Sequence, residues 1–199
     1  MDSTRTQAPQ RFAIRRKMTL MTKEYVVTAA RPDGSEGEIV AFAHQKRITL
    51  KERTTFYTDE TRKQILCTFE ARQVLDPETV YDVRDTAGQT IGSFHNDPDA
   101  SLFRSTWTMR QPGTMDLTGR ERNRLVAGVR RIWDWLPFTD FVPFLWPHHF
   151  DFTENKLLLM TVDKKLGLQS RYLLGIHAPD LDHRLAIAQA IALDALDEV

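Results

Sequence analysis

The chain is 199 residues long, with 27 Lys or Arg balanced by 27 Asp or Glu and 41% hydrophobic residues. That composition is globular and sized for one domain, and it excludes both a disordered chain and one that binds nucleic acid through bulk positive charge. A single cysteine, Cys67, excludes an internal disulfide framework and a cysteine-rich zinc site.

The charge is unevenly spread. Residues 1–53 carry eleven basic and six acidic side chains (+5), residues 54–118 six and ten (−4), and residues 119–199 ten and eleven (−1), so a neutral chain still has a basic face to present. Residues 1–10, MDSTRTQAPQ, are polar and lack the apolar stretch of a secretory signal; they read as a flexible tail ahead of one domain over 11–199. No apolar run reaches the ~18 residues of a spanning helix. The expectation is a cytoplasmic protein, peripheral to a membrane at most.

From residue 11 to about 110 strand signals dominate. RFAIRRKMT, EYVVTAA, GEIVAFA, RTTFYTD, KQILCTFEAR, TVYDVRD, QTIGSF and LFRSTWTMR are short runs rich in β-branched and aromatic residues, separated by turn clusters such as RPDGSEG at 31–37 and DTAGQ at 85–89. In TVYDVRD, Val80, Asp82 and Arg84 share one face and Tyr81, Val83 and Asp85 the other, the period of an antiparallel meander. No helical segment intervenes, which argues against βαβ units.

After Gly119 the period changes. In RERNRLVAGVRRIWDWL, Leu125, Val126, Val129, Ile132, Trp133 and Leu136 form one apolar stripe, which predicts an amphipathic helix near 120–136 ended by Pro137. An aromatic and proline-rich stretch follows, so 119–150 reads as a helix-and-aromatic insertion. Strand signals return in HFDFTEN, KLLLMTVDK and SRYLLGIHA, and counting residues 46–52 as a further strand brings the total to about twelve.

The final element spans 182–197. Asp180 or Asp182 serves as N-cap, and between Leu185 and Leu196 only Gln189 and Asp194 are polar. A helix apolar on nearly every face must be surrounded. Two arrangements surround it, a sandwich of two sheets or a closed barrel with the helix on its axis. The barrel fits the dimensions, because sixteen helical residues span ~24 Å and a seven-residue strand ~23 Å. The expected fold is therefore mainly β, a closed antiparallel barrel of about twelve strands around a central hydrophobic helix. Leu185, Ile187, Gln189, Ile191, Leu193, Asp194 and Leu196 belong to its core. A carboxylate buried there must be paired, so Asp194 is expected to meet an inward-facing donor, and Gln189 an Arg, a Tyr or a backbone group.

The segments RTTFYTDETRKQILCTFEARQ at 53–73, YDVRDTAGQTIGSF at 81–94 with its D-x-x-G-Q-x-I-G-x-F pattern, SLFRSTWTMR at 101–110 and RLAIAQAIALDAL at 184–196 resemble the tubby C-terminal-like superfamily. That superfamily includes the phospholipid scramblases and the LURP-one-related proteins. The resemblance implies a twelve-stranded barrel around the C-terminal helix and does not imply an enzyme. The likeness does not extend to the acidic calcium loop of scramblases: HAPDLDH here holds only Asp180 and Asp182 before the helix.

No phosphate-binding glycine loop and no G-x-S-x-G nucleophile elbow occurs, and neither cofactor nor metal is expected. His148, His149 and Asp151 lie close in sequence, but a strand puts His149 and Asp151 on one face and His148 on the other, as on a polar barrel rim. Cys67 in ILCTFEA reads as a small buried hydrophobe. The segment 120–152 combines Arg120, Arg122, Arg124, Arg130 and Arg131 with Trp133, Trp135 and Trp146. A basic amphipathic helix beside tryptophans suits an anionic membrane interface; equally, the same aromatics suit a cover over one barrel end. The expected function is a non-enzymatic module that binds a membrane lipid, an anionic phospholipid or phosphoinositide, or a protein partner. The alternative is a scaffolding protein with no lipid contact.

Overall fold

A computed structural model describes residues 10–18, 22–33, 35–46, 53–72, 79–97, 106–122, 149–165 and 171–196. Twelve strands follow one another: β1 Gln10–Met18, β2 Thr22–Ala30, β3 Glu36–Lys46, β4 Arg53–Tyr57, β5 Ile65–Ala71, β6 Val80–Arg84, β7 Thr90–Asn96, β8 Thr106–Gln111, β9 Met115–Glu121, β10 His149–Glu154, β11 Leu157–Lys165 and β12 Arg171–Ile176. Helix α1, His183–Leu196, comes last. Each strand pairs antiparallel with its sequence neighbours, and β12 returns to β1 with Gln10 opposite Ile176 and Arg15 opposite Arg171, so the sheet closes and has no edge.

Period-two alternation sorts the side chains. Phe12 and Ile14, Tyr25 and Val27, Cys67 and Phe69, Tyr81 and Val83, and Phe150 and Phe152 point inward from their strands, where they join α1 in a single core. Cys67 is 1% exposed, a packed thiol. Leu185, Ile187, Gln189, Ile191, Leu193 and Asp194 of α1 are at most 6% exposed; the side chain of Leu196 lies outside the described residues. One helix can replace solvent along the axis because alanines at 186, 188, 190, 192 and 195 keep it slim, all of them buried.

Two local devices position the helix. In the β6–β7 turn the Asp85 carboxylate accepts from the backbone N–H of Ala87 and of Gln89, at 2.9 Å each, and Gly88 takes a φ of 79°. Four residues on, Gly92 faces the axis: a Cβ there would sit 2.4 Å from Leu185 Cδ2 and 2.8 Å from Arg110 O, so glycine lets the first turn of α1 pass. At the helix start Asp182 Oδ1 accepts from Arg184 N at 2.8 Å, an N-cap. Gln111, at the end of β8, accepts from Asp182 N at 2.8 Å and donates to Asp180 O at 2.9 Å, tying that start to the wall.

The structure corrects three expectations. First, no separate strand stands between β3 and β4 in the barrel: β3 runs to Lys46 and pairs directly with β4, and 47–52 lie outside the described residues. The remaining strand is β9, which shows no run of apolar residues; its inward positions are Met115, Leu117, Gly119 and Glu121, and Gly119 is small because the Phe152 ring occupies the space of its Cβ, 2.3 Å away. Second, the helical stretch does not begin at Arg120. β9 runs through Glu121, with Arg120 opposite Thr106 on one side and Asp151 on the other, because pairing with β8 and β10 holds this part of the chain extended. The rest of the predicted helix lies outside the described residues. Third, Gln189 meets no inward Arg, Tyr or backbone partner among the described residues. It is wholly buried, and neither its Oε1 nor its Nε2 has a hydrogen-bond partner among the described residues.

A buried amide without partners costs about 1–3 kcal/mol, whereas an apolar side chain of similar size does not. Gln189→Leu is therefore expected to raise the free energy of unfolding by about 1–2 kcal/mol, measured by urea denaturation with the slope unchanged.

Candidate functional site at one end of the barrel

The up-and-down topology gives the barrel two distinct ends. The β2–β3, β4–β5, β6–β7, β8–β9 and β10–β11 turns and the start of α1 gather at one end. At the other end the odd-numbered strands finish and the even-numbered strands begin, β9 at Glu121 and β10 at His149 among them, together with the last turn of α1. The interior becomes polar there. Lys23 (2% exposed), Gln45 (3%) and Glu121 (1%) occupy inward positions of β2, β3 and β9, and Gln45 Nε2 donates to Thr54 Oγ1 at 2.8 Å. The helix C-terminus carries partial negative charge from its unpaired carbonyls, which inward cations complement.

Asp194, in the last turn of α1, has the inward donors expected of it. Arg16 Nη1 donates to both carboxylate oxygens, at 3.0 and 2.9 Å, and Tyr25 Oη donates to Oδ2 at 2.8 Å. The Tyr172 hydroxyl donates to Oδ1. Asp194 and Arg16 side chains are 3% and 10% exposed. The donors lie on three adjacent strands, because Arg16 on β1 is opposite Tyr25 on β2 and its neighbour Ile14 is opposite Tyr172 on β12. One carboxylate thus ties the helix across the seam where the first and last strands meet. Burial, with the Asp194 charge beside it, pushes the Tyr25 phenol far above its ordinary 10.0, and burial pushes the Cys67 thiol from 9.0 to about 12. Arg16, Tyr25 and Tyr172 were not singled out in the sequence, although a signal was present. Arg16 continues the inward parity of Phe12 and Ile14, and an inward cation on a strand requires an inward acid.

On the outside of the same end, the two residues that flank 123–148 are clamped together. Arg122 N donates to His149 O at 2.7 Å. The Arg122 guanidinium holds Asp151 with Nε at 2.9 Å and with Nη2, and its Nη1 lies 3.5 Å from Asp163. His149 Nδ1 is 2.8 Å from the same Asp163 oxygen. The bond to Asp151 raises the Arg122 pKa further above its ordinary value. His149 and Asp151 do share the outer face, each occupied in this ion-paired neck.

Of the residues marked for lipid contact, Arg120 is exposed on the outer face of β9, and Arg122 sits in the neck. Arg124, Arg130, Arg131, Trp133, Trp135 and Trp146 lie outside the described residues. At the opposite end a shallow depression lined by Leu66, Ile91, Gln111, Pro179 and His183 surrounds the start of α1.

The family model described as LURP-one-related matches residues 39–194, from within β3 to Asp194 itself. No curated protein matches the chain.

Removing one member of a buried ion pair strands the other, at about 3–5 kcal/mol, while replacing both is far milder. Arg16→Met is expected to destabilise by that amount and the Arg16→Met/Asp194→Leu double variant by clearly less, as read from urea unfolding of all four members of the cycle. The raised thiol and phenol set the alkaline limit. In the folded protein both stay protonated where the unfolded chain ionises, from 9.0 for the thiol and 10.0 for the phenol. Stability is thus complete below about pH 9 and falls as pH rises beyond it. Cys67→Ala is expected to flatten that fall by up to about 1.4 kcal/mol per pH unit, measured by unfolding at stepped pH.

Proposed function

The chain belongs to the LURP-one-related family, within the tubby C-terminal-like superfamily, and from that premise we propose that it is a non-enzymatic binding module. Its partner is an anionic membrane lipid surface, met from the cytoplasmic side by the barrel end where α1 terminates. The observation that carries this reading is the filled interior: α1 occupies the axis, so recognition is left to the outside and to the connections. Among these, 122–148 holds the arginines and three of the four tryptophans, and its two ends are clamped by Arg122, His149, Asp151 and Asp163. No helix among the described residues is long and apolar enough to cross a membrane. Attachment by surface charge and inserted tryptophan needs no such helix.

Between residues 119 and 131 five arginines face one acid, Glu121, a balance of +4. Basic residues near an anionic surface contribute about 1 kcal/mol each, an attraction that salt screens, whereas inserted tryptophan is not screened. Arg130→Glu/Arg131→Glu is expected to abolish sedimentation with phosphatidylserine-containing vesicles at low salt without lowering the melting temperature. Trp133→Ala is expected to remove the part of binding that survives high salt. Wild-type protein that ignores such vesicles decides for the scaffolding alternative.

A further inference from the structure

Resting on the lipid reading above, we propose that the barrel wall itself supplies a second contact: the outer face of β11, β12 and β1 is a basic platform for a flat, anionic bilayer surface. The platform follows from register. Lys165 on β11 is opposite Arg171 on β12, and Arg171 is opposite Arg15 on β1, so three cations lie in one row across three strands. Lys17 lies two residues beyond Arg15 on the same face, toward the end where α1 terminates. Lys165 and Arg171 are exposed and have no ion-pair partner among the described residues. Arg15 is 3.3 Å from Glu36, and Lys17, opposite Glu24 on β2, is 3.8 Å from Glu60.

Like charges opposite one another on a sheet are destabilising, so this row lowers folding stability and contributes nothing to the core. Of the acids around it, Glu24 is held by Arg62 and Asp163 by Arg122 and His149 in the neck, while Glu36 pairs with one cation of the row, Arg15. In the next row along the strands, Leu173 is 36% exposed between Ala13 on β1 and Asp163 on β11. An exposed apolar residue two positions from the exposed cation Arg171 suits an interfacial surface. The platform also adjoins the neck through β11, where Lys165 follows Asp163 by two positions, so a surface that meets the 122–148 connection lies next to this wall.

Geometry selects the partner. Adjacent strands are about 4.8 Å apart, so the row spans roughly 10 Å. On the convex outside of a closed barrel its side chains diverge, and they do not converge on one phosphate. Distributed charge on a plane matches them. A polypeptide adding as a strand needs a sheet edge, and the closed barrel has none. Binding through this wall therefore follows surface charge density and not headgroup identity.

The test is sedimentation of the full chain with phosphatidylcholine vesicles with and without phosphatidylserine, alongside vesicles in which phosphatidylinositol matches the same surface charge. Lys165→Glu/Arg171→Glu is expected to bind the charged vesicles at least about thirty-fold more weakly, since each basic residue contributes about a factor of five. Its melting temperature should stay unchanged, and Lys156→Glu, on the exposed β10–β11 turn at the far end, should bind as wild type. If the double charge reversal fails to fold, Lys165→Gln/Arg171→Gln is read in its place. Undiminished binding by the folded double variant overturns the platform and leaves the lipid reading standing; wild-type protein that binds no vesicle overturns both. Equal losses in Lys156→Glu, a strong preference for one headgroup at matched charge, or tighter capture of soluble inositol phosphate or duplex DNA than of vesicles would each overturn it too.

Discussion

A twelve-stranded barrel encloses more space than its own side chains fill, and that space has to be occupied. Here α1 occupies it, and the fold depends on the match between an all-round apolar helix and the wall around it. The match has one charged element. Asp194 enters the interior as a carboxylate, and such a charge is tolerated only when paired and hydrogen-bonded. Its partners, Arg16, Tyr25 and Tyr172, come from β1, β2 and β12, the strands on either side of the closing seam. The Arg16–Asp194 pair joins residues 178 positions apart, so closure of the wall and docking of the helix are coupled events.

This arrangement divides the molecule by polarity. The end where α1 starts is fastened by local devices: the Asp182 cap, Gln111 bridging to it, and Gly92 admitting Leu185. The end where α1 stops gathers Lys23, Gln45 and Glu121 within and the Arg122 neck without. A filled interior has little room for a substrate, which moves attention to the outer face. There, pairing register sets exposed cations side by side on strands that are distant in sequence.

Legibility varied with how local the causes were. The D-x-x-G-Q turn was visible because Asp85 satisfies two backbone N–H groups within four residues and Gly88 supplies the left-handed φ. Helix α1 was visible because no open arrangement buries so many apolar faces. Strand β9 was not. MDLTGRE loses its inward apolar alternation after Met115 and Leu117, since Gly119 yields its space to Phe152 and Glu121 follows, and the arginines after it continue into a helical period. Gln189 was expected to have a partner on the general rule for buried amides, and the inward side chains among the described residues do not provide one.

By itself the sequence determined the class of fold, the enclosed helix and the requirement that Asp194 be paired, because each follows from periodicity or from the cost of burying a charge, properties of a segment and its solvent. Which residues answer Asp194, which strand completes the twelve, and which cations stand together on the wall were decided only by tertiary structure. Those outcomes depend on register between segments far apart in the chain. A shift of one residue reverses the inward and outward faces of a strand, so Arg16 reaches the axis and Arg15 the outer row only because β1 is held between β2 and β12.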